Sequence, residues 1–336
     1  MVHINSKIDV KSLLAAHAEK TDAFMNALIP TKEPLEVYGV IKNFLSRGGK
    51  RFRPALCMLA ASAVGGKESE VMPAAASIEL FHSFTLLHDD IMDNSKLRRG
   101  LPCVHIIEGI PIAINAGDGM FMMVWASLFR LKQDRGTILK AQEMLLSKFT
   151  KVLEGQAVEL SWIRGGSWDI SESDYFEMVG GKTAALIAAA CEVGAFLAGG
   201  SKSEVAALSE YGRLAGIGFQ IRDDVLNLIG DEDKYKKEIG GDITEGKRTL
   251  MTIHSMAHCT LGQKPRLIAL LSSGTTKPSE LREAIALMKS TGSIAYADKI
   301  ALKFIEDAKR QLKKLKPTPS RQALEAISDF LAKRDR

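Results

Sequence analysis

Apolar residues return every three or four positions along most of the chain. The segments "DVKSLLAAHAEKTDAFMNALI", "PLEVYGVIKNFLS" and "MPAAASIELFHSFTLLHDDIMD" all show it. So do "AINAGDGMFMMVWASLFRL", "ILKAQEMLLSKFTKVLEGQAVELSW", "AALIAAACEVGAFLAGG" and "SEVAALSEYGRLAGIGFQIRDDVLNLIG". The C-terminal third closes with "SELREAIALMKSTGSIAYADKIALKFIEDAKRQLKKL" and "RQALEAISDFLAK". A period of 3.6 predicts helices, and no run alternates β-branched and polar residues as a strand would. Gly and Pro punctuate the pattern at "RGGKRFRP", "VGGKESEVMP", "RRGLPCVH", "IRGGSWDIS", "GGKT", "LAGGSKSE" and "EIGGDITEGK". Each reads as a helix stop or start. No low-complexity linker divides the chain, so the expectation is one all-α domain over residues 1–336, with ten or more helices.

Bulk properties narrow this picture only a little. Apolar residues make up 46% of the 336, enough for a sizeable core, and the net charge is +5. That charge suits an anionic substrate but is too diffuse to point to nucleic acid. Cys57, Cys103, Cys191 and Cys259 lie outside metal-ligand spacing and read as thiols in a reducing cytoplasm. No basic n-region with an apolar h-region opens the chain, and no stretch reaches the roughly 18 uncharged apolar residues of a membrane span. A cytoplasmic protein without a membrane span is expected.

The chemistry gathers in two acidic clusters. In "LLHDDIMDNSKLRRG", Asp89 and Asp93 stand one helical turn apart on one face, about 6 Å along the axis, with Asp90 beside them. The preceding "FHSFTLLH" is apolar, and carboxylates at a helix C-terminus oppose its dipole. Such a cluster calls for a cation. The second cluster, "GFQIRDDVLNLIGDEDK", repeats the spacing with Asp223, Asp224 and Asn227, and Asp231 follows. Oxygen ligands without suitably spaced Cys or His favour Mg²⁺ over zinc. Two such helices facing each other are expected to clamp a diphosphate through bridging metal ions.

Basic residues sit beside the Gly breaks and the acids. Arg47, Lys50, Arg51 and Arg53 surround a glycine pair, and Arg98 and Arg99 follow the first acids. Lys182-Thr183 follows a second glycine pair, and Lys237 and Lys247 follow the second acids. Arg offers phosphate a planar fork, and Lys a point charge.

With these residues in view, the chain resembles the trans-isoprenyl diphosphate synthases, most of all the short-chain geranylgeranyl and farnesyl types. "GGKRFRP", "LLHDDIMDNSKLRRG", "GKTAAL", "FQIRDDVLN" and "KEIGGDITEGKRT" match the family's motifs in order. The resemblance implies an all-helical bundle around a central cavity, usually a homodimer. It also implies Mg²⁺-dependent head-to-tail condensation of isopentenyl diphosphate with an allylic diphosphate (dimethylallyl, geranyl or farnesyl).

By that resemblance Asp89, Asp93 and Asp223 are metal ligands, with Asp90, Asp224 and Asn227 as further members. Arg98, Lys182, Lys237 and Lys247 are expected to hold the allylic diphosphate. Lys50, Arg53, His82 and Arg99 are expected to hold isopentenyl diphosphate. The Lys182 carbonyl, the Thr183 hydroxyl and Gln220 are expected to face the allylic cation. Glu159 stands where the family often has Asp, and it is left outside the site.

Product length turns on Phe84 and Phe81, five and eight residues before Asp89. These offsets correspond to about 7.5 and 12 Å of helix rise. An aromatic at the fifth position, small Thr85 at the fourth, and no insertion before Asp93 resemble archaeal-type geranylgeranyl synthases. A C20 product is therefore expected, with C15 as the alternative through Phe81.

Four rivals are weaker. A terpene cyclase of the same fold has no need of "GGKRFRP". A metal phosphohydrolase, suggested by His88-Asp89, needs further histidine ligands. A P-loop needs Gly where Phe176 stands. A non-catalytic partner subunit tends to lose acids that this chain keeps.

Overall fold

In the computed structural model, residues 8–229 and 240–333 are described. Lys237 and Asp231 lie outside them. Helices account for nearly all regular structure, as the periodicity predicts. The first eight are α1 (Val10–Leu28), α2 (Leu35–Ser46), α3 (Phe52–Ala63), α4 (Glu68–Met92), α5 (Val104–Ile107), α6 (Ile110–Leu128), α7 (Arg135–Gly165) and α8 (Glu172–Val179). A π-helical turn, Gly180–Ala184, joins α8 to α9 (Ala185–Leu197), which leads to α10 (Lys202–Ile229). Six more follow: α11 (Gly241–Thr244), α12 (Leu250–His258), α13 (Gln263–Ser272), α14 (Pro278–Ser290), α15 (Ser293–Leu312) and α16 (Pro319–Ala332). Among the described residues the sole sheet is a two-residue hairpin, β1 (Leu97–Arg98) with β2 (Leu101–Pro102).

The chain forms two compact units, each drawn from several stretches of sequence. One comprises Met1–Ser147, Leu186–Glu210 and Gln311–Ile327; the other comprises Lys148–Ala185, Tyr211–Arg310 and Ser328–Arg336.

In the first unit α4 is a core helix. Val71, Ala74, Ala75, Ile78, Leu80, Phe81 and Leu87 bury residues on every side of it, packed mainly against α6 and α3. A helix apolar all round belongs in a core. Its acids at the C-terminal end are therefore delivered by a rigid element. In the second unit a cluster of Tyr175, Met178, Ile217, Ile221, Val225, Leu250, Met251 and Leu267 supports α8, α10 and α12. The run Glu172–Leu197 reaches the length and hydropathy of a membrane span, but 72% of its most apolar window is buried within the protein. That burial marks a core helix.

Candidate active site

The first acids lie where the periodicity placed them. Asp93 caps α4, and its N–H donates to the Asp89 carbonyl at 2.8 Å, so the two carboxylates share one face. Asp93 is exposed, Asp89 half-buried and Asp90 buried. Asp90 takes a different partner: Arg98 donates to its Oδ1 through Nε at 2.8 Å and through Nη2 as well. The hairpin sets this up. Arg99 (φ 56°) and Gly100 (φ 78°) form its two-residue turn. Positive φ at both central positions is the I′ geometry that matches strand twist. The turn carries Arg98 back over the end of α4.

The glycine-pair loop builds the basic half. Arg51 adopts a left-handed conformation (φ 41°, ψ 42°) just before α3, and its guanidinium is fully buried. It donates to Asp22 at 2.7 Å, to Glu79 at 3.0 Å and to the Leu45 carbonyl at 2.8 Å. A buried charge needs such pairing. Gly49 lies close against both arginines: a Cβ there would lie 2.9 Å from Arg99 Nη2 and 3.3 Å from Arg51 Nη1, so those guanidinium ends would have to shift.

Positive charge is thus packed around one buried carboxylate, Glu79. Burial lowers the pKa of Arg53 against the pull of Glu79. Burial and then the Arg51 charge lower that of Arg99. Burial, and after it Arg53, Arg99, Arg98 and Arg51, hold His82 well below the ordinary imidazole range, so it is neutral. Arg53 Nε and Arg99 Nη1 are buried without a hydrogen-bond partner. The first unit therefore brings Arg53, Arg98 and Arg99 close to His82, with Arg98 held by Asp90 and Lys50 on the adjoining loop. Arg51 and Glu79 are the residues the sequence reading did not assign. An arginine two residues from Arg53 was visible, but its inward direction was not.

Below the acids, Phe84 packs on Phe81 and on Phe121 of α6, with ring centroids 5.7 and 5.3 Å apart. Phe121 also meets Phe81 at 6.3 Å and Trp125 at 6.3 Å. The ring cluster around Phe84 and Phe81 thus draws on two helices.

In the second unit Gly155 of α7 lies against the π-helical turn. A Cβ there would come within 2.3 Å of the Lys182 backbone nitrogen. That close approach lets Lys182 reach Glu159 one turn further along α7, and the two form an ion pair. Glu159, left outside the site on sequence, is the partner of Lys182, which was placed in it. A π turn interrupts the regular i→i+4 ladder, and such interruptions are frequent at functional sites. Thr183 donates to Gln220 Oε1 at 2.8 Å, Gln220 Nε2 donates to Asp224 Oδ1 at 2.7 Å, and Tyr175 donates to Asp224 Oδ2 at 3.0 Å. Burial, then Asp242 and Asp223, push Asp224 well above the ordinary carboxylate range. Asp223 is half-buried beside it. Asn227 accepts the Asp242 N–H at 3.1 Å through its side chain. Lys247 pairs with Glu245 and, at 3.4 Å, with Asp242.

Among the described residues no three His, Cys, Asp or Glu side chains gather closely enough to hold an ion unaided. Oxygen donors arriving singly or in pairs still fit Mg²⁺, which takes one or two carboxylates and completes its shell with phosphate oxygens and water.

Comparison with known proteins agrees with this geometry. The polyprenyl synthetase family matches residues 35–288. A short chain isoprenyl diphosphate synthase of Methanothermobacter thermautotrophicus is 38% identical, over 98% of this chain and 99% of its own length. A geranylgeranyl diphosphate synthase of Methanosarcina mazei is also 38% identical, over 94% of each chain. The crystal structure of a geranylgeranyl pyrophosphate synthetase from Pyrococcus horikoshii superposes with a TM-score of 0.91 at 36% identity, covering 97% of this chain and all of that one. A carboxylate pair closing a buried helix, a buried arginine cluster beside it and these relatives lead to one conclusion: the chain belongs to the polyprenyl synthetase family and is a short-chain prenyltransferase.

Proposed function

We propose that this prenyltransferase elongates allylic diphosphates with isopentenyl diphosphate to the C20 product, geranylgeranyl diphosphate, in an Mg²⁺-dependent reaction. The observation that carries the reading is the buried cluster of Arg53 and Arg99 near Glu79, with His82 and the Asp90-paired Arg98 beside it. Arg53 Nε and Arg99 Nη1, buried without a hydrogen-bond partner, are donors suited to an anionic substrate.

Asp89, Asp93 and Asp223 would hold Mg²⁺, with Asp90, Asp224 and Asn227, each engaged by protein donors, shaping the ligand set. Bound there, the ion would neutralise the charge that develops on a departing diphosphate. Lys50, Arg53, His82 and Arg99 bind isopentenyl diphosphate, and neutral His82 donates a hydrogen bond without adding to the crowded positive charge. Arg98, Lys182 and Lys247, with Lys237, bind the allylic diphosphate. Carboxylates hold the first three poised: Asp90 for Arg98, Glu159 for Lys182, and Asp242 with Glu245 for Lys247. The dipoles of the Lys182 carbonyl, Thr183 and Gln220 stabilise the allylic cation, whose capture by the isopentenyl double bond adds five carbons. Phe84 then blocks the growing chain. Phe81 in the same ring cluster favours C15 as the second reading.

A homodimer completes the proposal. Leu139, Leu146 and Leu153, at heptad spacing on α7, are 58%, 52% and 51% exposed, and Ile110 and Met122 of α6 are 52% and 53% exposed. Large apolar residues repeated in this way mark a protein contact. Four free cysteines, three of them buried, fit action in the reducing cytoplasm. The test is incubation of the purified chain with isopentenyl diphosphate, each allylic starter and Mg²⁺, followed by sizing of the dephosphorylated product. Product that forms without isopentenyl diphosphate would indicate a cyclase and defeat the reading.

A further inference from the structure

Gln220 carries an amide whose two ends have nearly the same shape and opposite polarity. Which end faces Thr183 decides the sign of the field that pair presents. In this structure Nε2 donates to Asp224 Oδ1 at 2.7 Å, and Oε1 accepts the Thr183 hydroxyl at 2.8 Å. Asp224 is 8% exposed, and its second oxygen is held by Tyr175, itself 1% exposed, at 3.0 Å. Every donor in this relay therefore points inward, toward Asp224. Thr183 spends its one proton on Gln220, so its remaining lone pairs are acceptors only.

We propose that Asp224, held by Tyr175, is a positioning residue that turns the Gln220 amide so that Thr183 and Gln220 present negative dipole ends to the allylic carbon skeleton. The inference rests on the prenyl-transfer reading above and adds to it the device that sets the polarity of the cation-facing wall. With the amide turned the other way, its NH₂ would donate to Thr183 and drive the hydroxyl hydrogen outward, toward developing positive charge. In a water-poor site a fixed dipole of the wrong sign costs on the order of 100-fold in kcat.

Three variants separate this role from others. Asp224→Leu removes the anchor, so kcat should fall on the order of 100-fold while KM for isopentenyl diphosphate stays near wild type. Asp224→Asn should restore most of the rate. Its amide oxygen still accepts from Gln220 while its NH₂ turns to Tyr175 Oη, so the orientation survives although the charge is gone. Tyr175→Phe combined with Asp224→Asn removes the hydroxyl that orients the introduced amide, and the loss should return.

A binding measurement runs in parallel. The preference of the protein for an ammonium analogue of the allylic diphosphate over its neutral isostere should drop in Asp224→Leu and in the double variant, and hold in Asp224→Asn. Equal losses in Asp224→Asn and Asp224→Leu, with a raised Mg²⁺ requirement in both, would make Asp224 a metal ligand and overturn the proposal. So would unchanged kcat and unchanged analogue preference in Asp224→Leu. Should Asp224→Leu fail to fold, the double variant decides: wild-type rate and preference there reject the inference. If the wild-type chain elongates no allylic diphosphate, the functional reading falls and takes this inference with it. An active wild type with indifferent variants removes the inference alone.

Discussion

Replacing Phe84 by alanine should lengthen the product by one five-carbon unit. Phe84 lies about 7.5 Å below Asp89 along α4 and Phe81 about 12 Å below, so the next ring is about 4.5 Å deeper. An isoprene unit adds four main-chain carbons, roughly 5 Å at ordinary bond lengths. Deleting one ring therefore opens room for about one unit before Phe81 becomes the stop. The structure also limits the effect. Phe121 faces both rings, at 5.3 Å from Phe84 and 6.3 Å from Phe81, and part of the floor survives. A mixture of C20 and C25 products is expected from Phe84→Ala, with further lengthening when Phe121 is also reduced to alanine. The cost to the fold is modest. A fully buried Phe→Ala change costs about 3–5 kcal/mol, and half-buried Phe84 should cost roughly half of that. The assay is reversed-phase sizing of dephosphorylated products at saturating isopentenyl diphosphate, with thermal unfolding run alongside. A folded, active Phe84→Ala enzyme with a product profile identical to wild type would refute the ring-floor reasoning.

The arginine pocket and the surface carry further expectations. Arg51→Ala leaves Glu79 buried without its partner and should destabilise the protein by about 3–5 kcal/mol in denaturant melts. Arg99→Asn places Asn-Gly in the I′ turn and removes a like charge beside Arg51; the melting temperature should rise by about 2 °C while KM for isopentenyl diphosphate rises on the order of 10- to 100-fold. His82 has a folded pKa below its unfolded value of about 6.5, so the unfolded chain binds more protons between the two. Its contribution to stability is thus complete above about pH 6.5 and lost as pH falls through the folded pKa; His82→Gln should flatten this part of the stability–pH curve, which unfolding titrations from about pH 5 to 7.5 can read. Leu146→Asp should halve the mass seen in sedimentation if the exposed leucines of α7 join two copies.

The all-helical fold, the spacing of Asp89 and Asp93 on one face, and the loop character of residues 47–51 were legible in the sequence. Each depends on interactions within a turn or two of the chain: apolar recurrence at 3.6 residues, the i to i+4 neighbour relation, and glycine's freedom at positive φ. The motif order carried the family as well. What the sequence left open was partner choice across distance. Arg51 was one unassigned charge among the basic residues of its loop, and it turns inward to Glu79, 28 residues away. Asp224 repeats the place of Asp90 in its motif, yet it meets Tyr175 from 49 residues away, while Asp90 meets Arg98 on the next hairpin. Glu159 was set aside for being the wrong acid, until the contact at Gly155 brought Lys182 onto it. Phe121 belonged to another helix and met Phe84 only through the packing of α6 on α4. Helix formation is decided by neighbours along the chain. The partner that a buried charge or amide finds is decided by which elements pack together and exclude water, and that is set only when the whole chain has folded.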